Sequence, residues 1–330
     1  MEGTKASRAK VKLALILGLG SLSIVLLFIL SLTTGAMDIS FREAMSGLWN
    51  LIQNGGAQVG TKELVLWEIR IPRALGVIAV GIGLSVAGAV MQALIRNPLV
   101  DPYITGVSSG AALGVTVAVL AGVTIAGLGV FLTPIFAFIG AVMAFLFTML
   151  LAEAAGGRSI SYVLGGVIVG IALQSGVTIL MYFNADRLHS VLYWLFGSFS
   201  TLSWQSTIII VLGVSVLSVI MLLYAKELNV ILLGDEQAQQ LGMNVKSFKT
   251  LMFVLVSALA AVCVAFTGII GFVGLIVPHL VRMLIGGDHR LLLPASMVVG
   301  ANILLVADIV CKTVVAPSEL PVGAIISIIG

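Results

Sequence analysis

The chain has 330 residues, 60% of them hydrophobic and 9% charged, with a mean hydropathy of +1.19. Soluble domains are about a quarter charged, so the composition excludes an ordinary soluble fold and marks an all-α protein that crosses the membrane many times. The net charge of +3 is too small to argue for a nucleic-acid partner, and Cys263 and Cys311 lie in apolar runs, outside any disulfide or metal-ligand pattern.

Ten candidate spans follow in order: 12–33, 72–95, 106–122, 130–152, 160–183, 204–225, 248–268, 272–286, 291–311 and one that starts at Pro321. The first resembles a secretory signal, with Lys5, Arg8, Lys10 and Lys12 ahead of an apolar run. No small-residue cleavage site follows promptly and more spans come after it, so it reads as an uncleaved span. Arg70 and Arg73 in "RIPR" lie three apart at the start of the second span and share a helix face. From the residues alone they read as headgroup anchors. Glycine clusters in the second span (Gly76, Gly81, Gly83, Gly88) and the fifth (Gly165, Gly166, Gly170), which predicts close helix packing.

In "RNPLVDPYITGVSSG" (96–110), Pro98 and Pro102 prevent a continuous helix between the second and third spans. "DRLHSVLYWLFGSF" (186–199) is too short to cross and reads as an interfacial or half-helix, with Gly197 and Asn184 as hinge positions. "LLGDEQAQQLGM" (232–243) is a polar island between two apolar runs. Gly234 or Asp235 suits a helix N-cap, Asp235 and Glu236 suit its first turn, and Gly242 suits the left-handed position after it. A short helix is expected, either a solvated turn or a docking knob. His279 is expected to pack or hydrogen-bond near the end of its span, and Asp308 to pair with Lys312 one turn on. The run from Pro321 stops at Gly330; ten residues rise about 15 Å against a ~30 Å core, so the last span reads as truncated.

Charge sets the expected orientation. With the N-terminus in the cytoplasm, the inner side holds Lys5, Arg8, Lys10, Lys12, Arg96, Arg158, Lys226, Lys246, Lys249, Arg282 and Arg290; the outer side holds Arg42, Lys62, Arg70, Arg73, Arg187 and Lys312. The island then lies inside, within a cytoplasmic segment over 226–247 of a single domain over 1–330. No G-x-x-x-x-G-K-[ST] occurs, since no Lys directly follows a Gly. The chain cannot cradle ATP in a P-loop, and no enzymatic activity is expected of it.

Four segments carry a family resemblance: "IRIPRALGVIAVGIGLSVAGAVMQALIRNPLVDPYITGVSSGAALG" (69–114), "LGDEQAQQLGMNV" (233–245), "GIIGFVGLIVPHLVRMLIGGDHRLLLPAS" (268–296) and "ADIVCKTVVAPSELPVGAIISIIG" (307–330). In this order they resemble the FecCD-type permeases, the membrane subunits of ABC importers for iron–siderophores, haem and cobalamin. The resemblance implies a ten-span type II importer subunit and a homodimer around a central pathway in the cytoplasmic membrane. It implies a separate dimeric ATPase that holds ATP and Mg²⁺, and an extracytoplasmic substrate-binding protein. By the same resemblance Gly234, Asp235, Glu236, Ala238, Gln239 and Leu241 couple to the ATPase. Arg70, Arg73 and Lys312 meet acidic residues of the binding protein, the last with a charge but without an arginine's fork. Asn97 and Leu99, with Ser159 and Ile160 in "GRSISY" (157–162), form a cytoplasmic gate. Cofactors are expected on the partner alone.

Two other classes fit a greasy chain less well. An ion-driven secondary transporter wants carboxylates at mid-depth, where Asp308 is the one fair candidate; an intramembrane serine protease wants G-x-S-G, and "GVSSG" is not that motif.

Overall fold

The computed structural model describes residues 2–53, 60–122, 131–184, 186 and 188–330. Among these, regular structure is helical throughout. The chain begins with α1 (Glu2–Thr33), α2 (Phe41–Gln53) and α3 (Thr61–Val65), then a π-helical turn (Leu66–Arg70) that leads straight into α4 (Ile71–Ile95). A 3₁₀ turn (Pro102–Thr105) precedes α5 (Val107–Leu120), α6 (Leu132–Ala154), α7 (Ser159–Phe183) and α8 (Leu188–Leu195). The second half holds α9 (Trp204–Leu223), α10 (Ala225–Ile231), α11 (Asp235–Gln240), α12 (Val245–Thr267), α13 (Val273–Ile285), α14 (His289–Thr313) and α15 (Val322–Ile329).

Seven of the described helices are long and apolar enough to cross a membrane, and α5 and α13 are shorter apolar helices. With α15 they fall where the ten spans are expected. The two short ones begin and end within two residues of the expected 106–122 and 272–286. Fourteen residues in α5 rise about 21 Å, less than a bilayer core. Each follows irregular backbone: Gly106 at φ +81° ahead of α5, and Gly268 at φ +70° with Phe272 at φ +65° ahead of α13. Such backbone is tolerated at depth where protein satisfies its polar groups. Thr148 donates its hydroxyl to the Thr105 carbonyl at 2.9 Å, and the Ser198 N–H donates to the Thr267 carbonyl at 2.8 Å.

The α4 helix is the centre of the bundle and packs on α9, α12, α13 and α14. Small residues make this possible. A Cβ placed on Gly88 would lie 1.8 Å from the Gly274 carbonyl oxygen, and one on Gly81 would lie 2.5 Å from that of Gly300. The backbones of α4, α13 and α14 therefore touch, as the glycine clustering predicts.

α2 was not foreseen. Its start is a capping box: the Ser40 N–H donates to Glu43 Oε2 at 2.9 Å, and the Glu43 N–H donates to Ser40 Oγ at 3.3 Å. Ser-x-x-Glu over 40–43, ahead of Met45 and Leu48, is the readable signal. A hydrogen bond from Lys62, 2.7 Å away, and the bonds from Ser40 hold the Glu43 carboxyl down at about 2. The predicted half-helix shortens to α8, followed by Gly197 at φ +71°; Arg187, counted among the outer charges, lies outside the described residues.

Candidate functional site

The polar residues gather at two ends of the bundle. One, the basic end, holds Lys12, Arg96, Arg158 and Lys246, with Lys12 Nζ donating to the Leu284 carbonyl at 2.9 Å. The other holds Arg70, Arg73, Asp308, Lys312 and Glu319.

At the basic end the island folds as expected. Gly234, at φ +120°, starts α11, and Asp235 and Glu236 form its first turn. Gly242, at φ +87°, ends it: the Met243 N–H donates to the Ala238 carbonyl at 3.0 Å and the Gly242 N–H to that of Gln239 at 2.9 Å. This pair of bonds is the Schellman stop. Exposure divides the six residues assigned to partner contact. Glu236, Gln239 and Leu241 face outward, and Leu241 is 66% exposed. Asp235 is half-buried and ion-paired, while Gly234 and Ala238 are buried, Ala238 completely. Ala238 belongs to the chain's own core, although the resemblance assigns it to the partner contact. A three-residue step along the two-turn helix carries Asp235 to Ala238 on the inward face. Leu233, 60% exposed, joins Leu241 on the outer surface although it is not one of the six.

Of the residues expected to form a gate, Ser159 and Ile160 share a cleft with the start of α11. Arg96 ends α4 in the left-handed conformation at φ +56°, and Asn97 Oδ1 then accepts the Leu99 N–H at 2.9 Å. This fixes a tight turn that leaves Leu99 70% exposed. Ser159 opens α7 and donates its hydroxyl to the Leu94 carbonyl at 2.9 Å, and the next residue, Ile160, is 57% exposed. Arg96, Arg158, Ser159, Ile160, Gly234 and Asp235 line part of one cleft of about 500 Å³. A larger groove of about 860 Å³ between α1, α13, α14 and α15 has aliphatic walls apart from Ser23 and Asn302, and lies away from these charges. Size alone would favour the groove; polar chemistry favours the cleft.

Lys249 was read from the sequence as an inner-side charge. It is instead a buried residue of α12, with 5% exposure. Its ammonium donates to Asp235 Oδ2 at 2.6 Å and to Ser159 Oγ at 2.9 Å. Arg96 holds the other Asp235 oxygen at 3.2 Å. A signal for this existed: Val245, Phe248, Lys249, Met252 and Val256 form one buried stripe at helical spacing.

At the opposite end the three cations expected to meet a partner are turned inward. Arg73 is 5% exposed; its Nε and Nη2 donate to Asp308 Oδ1 at 3.0 and 2.8 Å, and its Nη1 to Glu319 Oε1 at 2.8 Å. Lys312 pairs with Asp308 Oδ2 at 3.1 Å, the expected one-turn pair, and donates to Ser31 Oγ at 2.8 Å. Arg70 donates to the carbonyls of Leu32 and Met37, and so caps the end of α1. These residues tie α1, α4 and α14 together, so Arg70, Arg73 and Lys312, which the resemblance assigns to docking, are each engaged within the chain. The reason is that buried cations require partners, and Asp308, Glu319 and the free carbonyls of α1 supply them.

The histidines also depart from expectation. His279 is exposed on α13 and makes no hydrogen bond among the described residues. His289 is the buried one, with Nδ1 2.9 Å from Asn229 Oδ1.

Comparison with known proteins agrees with this architecture. The model of the FecCD transport family matches residues 23–330. The chain is 36% identical to the hemin transport system permease protein HmuU of Yersinia pestis, over 97% of this chain and 94% of that one. It is 37% identical to the vitamin B12 import system permease protein BtuC of Klebsiella pneumoniae, over 81% of this chain and 80% of that one. Its fold superposes with a TM-score of 0.83 on a structure described as an inward-facing ABC transporter of the metal-chelate type, at 30% identity and 96% coverage of both chains. An all-helical bundle with that coverage, a polar knob on α11 and a family match over nearly its whole length place this multi-pass membrane chain in the FecCD transport family.

Proposed function

We propose that the chain is the membrane-spanning permease subunit of an ATP-binding cassette importer and forms the path for a metal chelate. The chelate is of the kind that the relatives' names record: haemin, a cobalamin or an iron chelate. Two copies form the path, a separate dimeric ATPase holds ATP and Mg²⁺, and an extracytoplasmic binding protein delivers cargo. The basic end faces the cytoplasm of the cell that bears the membrane, since Lys and Arg are retained there.

The observation that carries the reading is the pairing of α11 with the cleft. A rigid two-turn helix presents Leu233, Glu236, Gln239 and Leu241 outward, and its first turn walls the cleft that also holds Ser159 and Ile160. Binding energy from a partner opens or closes a path only when its contacts differ between states. A helix that forms both a docking face and a cleft wall meets that requirement. Asn97, Leu99, Ser159 and Ile160 act as the gate: small or aliphatic groups that close over a large ligand without gripping it. With Arg70, Arg73 and Lys312 engaged internally, binding-protein docking falls to other exposed residues at that end, beside the α2 face that carries Phe41 and Trp49.

The test is uptake into vesicles that hold the permease, its ATPase and its binding protein, with haemin, cyanocobalamin and a ferric siderophore offered separately. ATP-dependent accumulation of one of them is expected. Accumulation by the permease alone, driven by a proton or sodium gradient, would overturn the reading.

A further inference from the structure

We infer that Lys249 is a positioning residue that ties α11 to the gate turn at the start of α7, so that a pull on α11 reaches Ser159 and Ile160. The inference rests on the reading that α11 meets the ATPase.

Four elements close into one ring. Asp235 of α11 accepts from Lys249 of α12 at 2.6 Å; Lys249 donates to Ser159 of α7 at 2.9 Å; Ser159 donates to the Leu94 carbonyl of α4 at 2.9 Å. Two residues beyond Leu94, Arg96 returns to Asp235 at 3.2 Å. The two ion pairs are unequal. Arg96 and Asp235 have side chains 41% and 40% exposed, so water and salt screen their attraction. The Lys249 side chain is 6% exposed, and a buried ammonium without a counter-ion is costly. If α11 shifts, Lys249 must follow Asp235 or lose its charge partner. Following Asp235 withdraws it from Ser159, the first residue of α7, whose hydroxyl is then held by the Leu94 carbonyl alone, through a bond that the ammonium no longer polarises. Ile160 is the next residue. The ring is thus a two-state element with the docking helix on one side and the gate on the other, which is what coupling physically requires.

The experiment uses the permease assembled with its ATPase in lipid nanodiscs. Ile160→Cys reports the gate through its rate of maleimide labelling with and without Mg-ATP, against the buried Cys263 and Cys311. Leu241→Cys reports docking through crosslinking to the ATPase. With Lys249 intact, Mg-ATP is expected to change the labelling rate of position 160 by about fivefold or more, the low end of typical coupling. Lys249→Met should abolish that change while crosslinking at 241 persists, and Lys249→Arg should restore it. A Lys249→Met chain that crosslinks and keeps the nucleotide response would overturn the inference and leave the α11 reading standing. Failure of Leu241→Cys to crosslink with Lys249 intact would remove the α11 reading, and this inference with it. If Lys249→Met does not assemble, Asp235→Asn decides, since it keeps the shape and removes the charge. Loss of the response supports the ring, and retention overturns it.

Discussion

The carboxylates of Asp308 and Asp235 are each held by two cations, yet they sit in opposite surroundings. Asp308 is fully buried between Arg73 and Lys312, whose side chains are 6% and 4% exposed. Asp235 is 40% exposed, with Lys249 below it and Arg96 beside it in water. The first arrangement is closed. Arg73, Asp308 and Lys312 bind α4 and α14 to each other, and Lys312 reaches Ser31 of α1. Asp308 cannot leave without stranding the charge of Lys312 in an apolar bundle. The second arrangement is open on one side, and its carboxylate belongs to a two-turn helix that packs on α10 and α12. The same pairing of acid and base thus serves as a bolt at one end and as a movable joint at the other, and burial is what separates the two.

The comparison breaks most readily at Asp308. Asp308→Ala leaves buried Lys312 without a counter-ion and Arg73 with the partly exposed Glu319 alone, so a loss of about 3–5 kcal/mol is expected. Thermal unfolding in detergent, followed with the yield of monodisperse protein, measures it. A variant as stable as the parent would mean that Arg73 and Lys312 reach water, and would favour the docking role that the resemblance gives them.

Asp235→Ala should cost less, about 1–3 kcal/mol, the usual worth of a hydrogen bond to a charged group. Most of that reflects the stranded Lys249. The same thermal assay gives the stability, and transport by the full complex should fall much further than stability does. Equal losses in the two measurements would make Asp235 a structural residue like Asp308.

Glu319→Gln is the smallest of the three. Glu319 is 30% exposed and shares Arg73 with Asp308, so about 1 kcal/mol or less is expected. A loss as large as that at Asp308 would show that the bolt needs both acids.

What the sequence disclosed follows the physics of each feature. Long apolar runs are local, and the spans were legible to within a few residues. α11 was legible as well, because Gly234, Asp235, Glu236 and Gly242 encode its start and stop within the segment itself. The pair of Asp308 and Lys312 was legible because it spans one turn. The partners of Arg73 were not all legible, since Asp308 lies 235 residues away and nothing local marks the contact. The ring at the basic end was hidden for the same reason: Ser159 and Lys249 are 90 residues apart. Family resemblance placed Arg70, Arg73 and Lys312 on an outer surface, and this chain's own acids and carbonyls take them inside. Resemblance likewise grouped Ala238 with Leu241, although helical geometry sends one inward and the other outward. The short α5 and α13 were legible too, since the breaks at Gly106, Gly268 and Phe272 fall at the ends of the expected spans 106–122, 248–268 and 272–286.

The central claim is that α11 is the surface through which an ATPase drives this permease, and single cysteines on its two faces test it most directly. Leu241→Cys and Ala238→Cys are labelled with maleimide in membranes, with and without the ATPase subunit. Position 241 is expected to react readily alone, to become protected when the ATPase binds, and to crosslink to it. Position 238 is expected to stay unreactive in both cases, since Ala238 has no exposed surface. Equal labelling of Leu241→Cys with and without the ATPase, in a complex that still transports, would contradict the claim.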